Sequence, residues 1–450
     1  MRRGKVEPII WSGLDIGTRK ISLIVAETDP LSKDTQVIAV GSSRTKGISK
    51  GEIRDADLVV ESIRKAVDEA EKAFDLNVRD TFLSIGPTSV SSFILEQKCP
   101  LNEEGIPERP VTGKDMKDVI REALKGARGS TEHLLLHAIP LGYSVDAGPF
   151  VKDPRGASGS ELTAEVLFIG IAEEEVRTSV SCAEKAGLNV LGVIHKSIAS
   201  AFGSLSGEEI EDGAVAVDIG AGTTTVTYTR EGLIRGVDVF PGGGDLVTRD
   251  ISEVLAIPAS KAEYLKREVS LFECPEDLGD ELEFEMGGEP FIVTVKDVLE
   301  ILSPRIEEIF FRFIVPKIEE FQRDGALRAI VFSGGVAGSP GFMELASDSF
   351  ETPVRLGEPV KGTSLPPHAR GSEFSSTVGI VNYLLERDNN PDNLLEPEYP
   401  RLGDALNLEE AGSIKVLNPW KGKAGKKEDG GKGLMARFFD ALRNAFSELF

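Results

Sequence analysis

The stretch GLDIGTRKISLIVAE, residues 13–27, sets an acid, a glycine, a hydroxyl and a lysine in a short turn between two apolar runs. The stretch VAVDIGAGTTTVTYT, residues 215–229, repeats the Asp-Ile-Gly between two further runs of strand character. Alternating apolar residues on either side of Gly, Asp and Thr read as a hairpin. One device is used twice in the chain.

Outward from the first copy, residues 9–15, 20–28 and 36–41 read as a three-stranded meander. A helix follows over 56–74, where Val59, Ile63, Ala66, Val67, Ala70 and Phe74 recur at helical spacing. The second copy begins the same way, with strands at 214–219, 224–230 and 233–239 around a Glu231-Gly232 turn. A third landmark is AIVFSGGVAGSPGFMELAS, where an apolar strand at 329–332 ends on Gly334-Gly335 and leads into a helix past Pro340-Gly341. Glycine there lets backbone approach a ligand closely. The outline is a duplicated α/β fold with a cleft between its halves.

Between the copies, residues 81–172 read as an inserted small α+β domain. It has strands at 81–86, 90–97, 133–139 and 161–170 and a helix at 113–127 opened by Thr112. Polar loops at 102–110 and 146–160 separate them. A helix stopped by Gly187, the strand NVLGVIH and the small-residue helix SIASAFGSL lead back to the second copy.

At 450 residues, 40% of them apolar, the chain is long enough for two or more cores. Its net charge of -23 excludes general nucleic-acid binding, which needs a basic face to displace counterions. Cys99, Cys182 and Cys274 are scattered and fit packing roles in a reducing compartment, and the four histidines form no zinc pattern. No secretory leader pattern and no membrane-spanning apolar run is expected.

The charge is uneven. Residues 421–450 hold seven Lys/Arg against four Asp/Glu on an otherwise acidic protein. Residues 387–432 have linker composition. Residues 433–450 then carry Met435, Phe438, Phe439, Leu442, Phe446, Leu449 and Phe450 on one helical stripe. Such a helix can dock on its own core, in a partner's groove or on a membrane. The long lysine-bearing linker favours an interfacial anchor, with Lys421, Lys423, Lys426, Lys427 and Lys432 near anionic lipid headgroups.

A polyphosphate with its metal needs free backbone N–H groups, hydroxyl or lysine contacts, and carboxylates to hold a hydrated cation. In the first turn, Gly17 and Thr18 supply donors, Lys20 a point charge, and Asp15 a water-mediated contact to Mg2+. In the second, Gly220, Ala221, Gly222 and Thr223 can wrap the outer phosphates while Asp218 faces Asp15. Either turn alone is also what an ordinary hairpin looks like; the pair, in a duplicated pattern, points to nucleotide. The P-loop and Rossmann fingerprints are missing.

DIGTRK, DIGAGTTT and SGGVAGSPG resemble the phosphate and adenosine loops of the actin, Hsp70 and sugar-kinase superfamily of ATP-binding proteins. Over nearly its full length the chain resembles the bacterial cell-division family FtsA. TFLSIGPTSVSS, LLLHAIPLGYSVD followed by DPRGASGSELTAEV, the SPRIEEIF helix, the position of the insert and the terminal amphipathic helix carry that likeness. The resemblance implies an actin-like, ribonuclease H-like, two-lobed fold. Lobe 1 would be 8–80 and 173–210, the insert 81–172, lobe 2 211–244 and 326–386, and its small subdomain 245–325. It further implies that Asp15, Gly17, Thr18 and Lys20 form one phosphate loop and Asp218, Gly220, Gly222 and Thr223 the other. Gly334, Gly335, Val336, Glu263 and Lys266 would then lie on the adenosine and ribose side, with ATP and Mg2+ as cofactors.

The implied role is that of a self-assembling tether. It would hold the C-terminal tail of FtsZ, through the small subdomain, at the inner face of the cytoplasmic membrane of the division septum, while the insert meets later division proteins. One departure stands out: HKSIASA puts Lys196 and Ser197 where relatives with clear ATPase activity carry a carboxylate or amide that orients water, so slow turnover is expected. The alternatives are a PilM-type pilus scaffold and a small-molecule kinase; the amphipathic tail distinguishes both.

Overall fold

A computed structural model describes residues 8–74, 77–102, 108–271, 280–323, 325–359 and 365–389. In the first lobe, strands Ile9–Ile16, Lys20–Thr28 and Thr35–Arg44 form the expected antiparallel meander. Asp80–Ile85 and Asn189–His195 then add parallel strands beyond Ile9–Ile16. The second lobe repeats this order: Ala214–Ile219, Thr224–Arg230 and Leu233–Phe240 make the meander, and Ala329–Ser333 and Val354–Leu356 add in parallel. Two sheets of one topology thus come from the two Asp-Ile-Gly hairpins.

Helix Ala56–Phe74 lies where its spacing places it, with Val59, Ile63, Ala66, Val67 and Ala70 buried on the first sheet. Full burial of each Val or Ile is worth roughly 1.5 kcal/mol or more, which outweighs the roughly 0.5 kcal/mol helix-propensity deficit of such residues. Asp55 opens the helix by accepting from the Leu58 N–H at 3.1 Å.

The insert is a three-stranded antiparallel sheet in the order Val90–Pro100, Glu161–Ala172, His133–Val145. Helix Gly113–Ser130 covers it, opened by a Thr112–Asp115 capping box. The strand expected at 81–86 within the insert is instead an inner strand of the first lobe, with Ser84 in register beside Asp15. An apolar strand shows what buries it only through its neighbours, so the boundary drawn at 81 falls one strand early. The insert's core is also continuous with that of the lobe, since Phe168, Ile139 and Leu124 share a cluster with Ile24, Val40 and Ile198.

Two helices cross between the lobes. Lys196–Ser204 leaves the first sheet and is buried from Ser197 onward. One side of it packs Ala201 against Ala214, Ala216 and Ala329 of the second lobe. Helix Ser375–Asn389, from the end of the stretch assigned to lobe 2 (326–386), packs Val378, Ile380 and Val381 into the first lobe's cluster. The crossing is glycine-lined: a Cβ on Gly379 would overlap the Ala199 carbonyl, and one on Gly203 the Ser375 carbonyl. Ile380 likewise needs Gly13 beneath it, where a Cβ would sit 2.7 Å from Cγ2.

Gly379→Ala is therefore expected to lower the urea unfolding free energy by about 3 kcal/mol or more, despite the roughly 1 kcal/mol that alanine ordinarily gains over glycine in a helix. Gly129→Ala, near the end of the insert's helix with nothing within 4 Å of its Cβ position, serves as the neutral or stabilising control.

Candidate functional site

Both Asp-Ile-Gly turns close with the same bond. The Gly17 N–H donates to the Lys20 carbonyl at 3.0 Å, and the Gly220 N–H to the Thr223 carbonyl at 2.9 Å. The turns face each other: a Cβ on Gly222 would lie 2.5 Å from Thr18 Oγ1 and 2.9 Å from Lys50 Cα. Thr18 Oγ1 accepts from the Gly51 N–H at 3.2 Å, and a Cβ on Gly51 would lie 3.0 Å from Thr223 Cγ2. Arg19 spans the lobes to Asp245 at 2.6 Å. The tip of the small hairpin at 48–53 therefore sits where the two turns meet.

Asp15 is 2% exposed and saturated with donors. Ser84 Oγ donates to Oδ1 at 2.9 Å, Ser376 Oγ to Oδ2 at 2.8 Å, and Lys196 Nζ lies 3.0 Å from Oδ2 and 3.4 Å from Oδ1. Lys196 and Ser376 arrive on the first turns of the two crossing helices, whose positive dipole ends favour a carboxylate. Burial works against the Lys196 charge, yet Asp15 and Asp218 outweigh it and hold the ammonium's pKa above its ordinary value. Asp218, 6% exposed, has no hydrogen bond to its carboxylate among the described residues. Burial pushes its carboxyl up, with Lys196 and Lys20 opposing and Asp15 reinforcing.

Lys20 does not point freely into the cleft. Its Nζ donates to the Glu373 carbonyl at 2.7 Å and stands 3.2 Å over the Phe374 ring. Burial pushes its pKa down to about 8, against the pull of Glu373, Asp15 and Asp218.

The expected adenosine-side residues form a second centre adjoining the first. Lys266 Nζ lies 2.6 Å from Glu263 Oε2 and donates to the Gly244 carbonyl at 3.2 Å, and Thr248 Oγ1 donates to Glu263 at 2.6 Å. This is a half-buried network rather than an exposed helix face. Burial opposes the Glu263 charge, but Lys266, Thr248 and Arg267 hold its carboxyl below the ordinary value. Lys266 and Val336 line one small pocket with Val247, Leu302 and Ser339. Gly334, at φ 89°, abuts the first centre, since a Cβ there would overlap Asp218 Oδ1, and Val336 two residues on lines the pocket of the second. Gly335 is exposed, and nothing lies within 4 Å of its Cβ position.

The residues fit a nucleoside polyphosphate: two glycine turns face each other, and a nearly buried carboxylate is left without a donor. They fit a hydrated divalent ion at Asp218 better than at Asp15, whose oxygens are already engaged. Ser84, Ser376, Gly51 and Glu373 were missed in the sequence. Only Ser84 left a trace, since pairing its strand with Ile9–Ile16 brings it beside Asp15. A further link runs to the insert. His195 caps the helix that begins at Lys196, its Nδ1 accepting from the Ser197 N–H at 3.3 Å, while its own N–H donates to Nε2 of His137 in the insert at 3.0 Å. Burial pushes the His195 pKa down to about 3, so the ring is neutral.

Two sheets of one topology with a glycine-lined cleft between them define an actin-like two-lobed protein. A solved chain of the PilM-PilN type IV pilus biogenesis complex matches with a TM-score of 0.59 at 18% identity, covering 83% of this chain and 97% of that one, a likeness of fold. The family model described as Cell division protein FtsA matches residues 215–379, and the SHS2 domain inserted in FTSA matches residues 92–169. The cell division protein FtsA of Escherichia coli (strain K12) is 30% identical over 419 residues, 91% of this chain and 96% of that protein. That of Neisseria meningitidis serogroup B is 29% identical over 443 residues, covering 97% and 98%. The chain belongs to the FtsA family of cell division proteins.

Gly334→Ala is expected to lose about 2 kcal/mol or more in urea unfolding, from positive φ and overlap with Asp218 together, whereas Gly335→Ala stays within about 0.5 kcal/mol.

Proposed function

We propose that this chain is an ATP-binding, self-associating adaptor that tethers FtsZ filaments to the inner face of the cytoplasmic membrane at the division septum. The meeting of two Asp-Ile-Gly turns across one cleft, in a chain of the FtsA family, carries this reading. Gly17, Thr18, Gly220, Gly222 and Thr223 wrap the phosphates, and Lys20 contributes charge at their edge. Asp218 holds hydrated Mg2+, which when bound neutralises the phosphate oxygens. Glu263, Lys266, Gly334, Gly335 and Val336 border the nucleoside. Lys196 stands where a water-orienting group would be needed, so turnover is slow and the nucleotide acts mainly to set the assembled state.

The small subdomain at 245–325 receives the FtsZ tail, and the insert meets later division proteins. Among the described residues no helix is long and apolar enough to cross a membrane. Membrane attachment is assigned to the stripe from Met435 to Phe450, outside the described residues, which lies in the interface of anionic lipids with the linker lysines at the headgroups.

The decisive test is recruitment of fluorescent FtsZ to anionic liposomes by the full chain with Mg-ATP. Recruitment by the full chain, and its loss on truncation before Gly433, is expected; equal vesicle binding by the truncated chain refutes the anchor. A second check uses pH. Lys20 carries its charge below about pH 8 and loses it above, so attraction for a polyanion weakens as pH rises. Triphosphate affinity is expected to fall roughly threefold or more between about pH 7.5 and 9, and Lys20→Met to flatten that profile.

A further inference from the structure

We infer that the inserted domain is a brace between the two lobes, with one joint to each, so that movement of one lobe against the other is felt at the insert.

The brace is the strand His133–Val145, paired with Glu161–Ala172 and interrupted twice. His137 pairs with Ile169 and Leu135 with Gly170, which leaves Leu136 as an extra residue. Pro140 pairs with Val166 and Gly142 with Glu165, which leaves Leu141 as another. A bulge releases one residue from the ladder and re-aims it. Here each bulge meets a different lobe.

At the first bulge, Leu136 is buried in the first lobe's core with Val176, Leu188 and Val193. Beside it, Nε2 of His137 accepts from the His195 N–H at 3.0 Å, and both histidines are buried. His195 leads directly into helix Lys196–Ser204, so this joint stands next to the cleft. At the second bulge, the Leu141 carbonyl accepts from Nη1 of Arg235 at 3.2 Å. Arg235 lies on Leu233–Phe240, the edge strand of the second lobe's sheet. Its guanidinium also engages Glu231, while its buried Nε has no hydrogen-bond partner among the described residues. Leu141 and Tyr143 share one buried cluster with Leu233, Ile234 and Val237 of that edge strand.

The two joints are four residues apart on one strand, roughly 13 Å along it. A strand held in a sheet does not stretch over that distance, so a displaced second lobe either carries the strand with it or breaks the Arg235 bond. Lys152 and Glu211 also meet between insert and second lobe, at 3.1 Å, but both side chains are exposed and the pair adds little. The charge-assisted bond from Arg235, set among buried apolar side chains, is the one on which the second joint depends.

A merely local contact would confine the effect of removing Arg235 to its own neighbours. Hydrogen exchange of the full chain, read by mass spectrometry, separates the two cases. Arg235→Met is expected to raise exchange about threefold or more at residues 139–145 and also at 192–197, at the far joint, while helices Ala56–Phe74 and Val295–Ile309 keep wild-type exchange. Lys152→Gln is expected to stay within about 1.5-fold throughout. A change confined to residues 139–145 and 233–237, or an equal change from Lys152→Gln, overturns the inference. If Arg235→Met loosens the whole chain, wild-type exchange in low urea decides instead: the two joints opening as one unit support the brace, and separate opening overturns it.

Discussion

The close crossing of helices Lys196–Ser204 and Ser375–Asn389 is the constraint on which the cleft depends. Two backbones can approach this near only where one helix offers Gly203 and the other Gly379, each against a carbonyl of its partner. Once crossed, each helix is held at a fixed height, and each delivers its first turn to Asp15. Lys196 and Ser376 meet on one carboxylate although 180 residues of sequence separate them. A shift of the crossing by one helical turn would carry both groups out of hydrogen-bonding range.

Duplication gives the cleft symmetry of backbone without symmetry of chemistry. Both hairpins close by the same glycine bond, and both strands carry an aspartate one residue before their end, beside a parallel neighbour. In the first lobe that neighbour offers Ser84, and the crossing helices add a lysine and a second serine, so the carboxylate is fully satisfied. In the second lobe the neighbour offers Ser333 in the same register, but its buried hydroxyl makes no hydrogen bond among the described residues, and the missing Cβ of the following Gly334 leaves space at Asp218. One carboxylate is held by hydrogen bonds; the other has none among the described residues. The charge of Lys196 serves both.

The insert is tied to this centre rather than appended to it. Its core runs into that of the first lobe, and His137 accepts from the backbone of His195, which caps the helix carrying Lys196. Because burial keeps His195 neutral, the link is a fixed hydrogen-bonded joint and not a proton switch.

The sequence by itself determined the two hairpins, the helix Ala56–Phe74, the glycine-ended strand Ala329–Ser333 and the loops around Asp15 and Asp218. These are set by periodicity and turn chemistry within a few residues. The family resemblance, not periodicity, set the expectation that Lys196 stands where relatives carry a water-orienting group. Only the tertiary structure decided that strand Asp80–Ile85 belongs to the first lobe, that the last described helix returns to that lobe, and that Lys20 is held by Glu373 and Phe374. Only it brought Ser84, Ser376 and Lys196 onto one carboxylate. The physical reason is that a side chain's local pattern fixes its face and its backbone form, while its partner is chosen by packing between segments far apart in the chain. At Asp15 that choice was made by the absence of side chains at Gly13, Gly203 and Gly379, positions where a single sequence shows only a permissive residue.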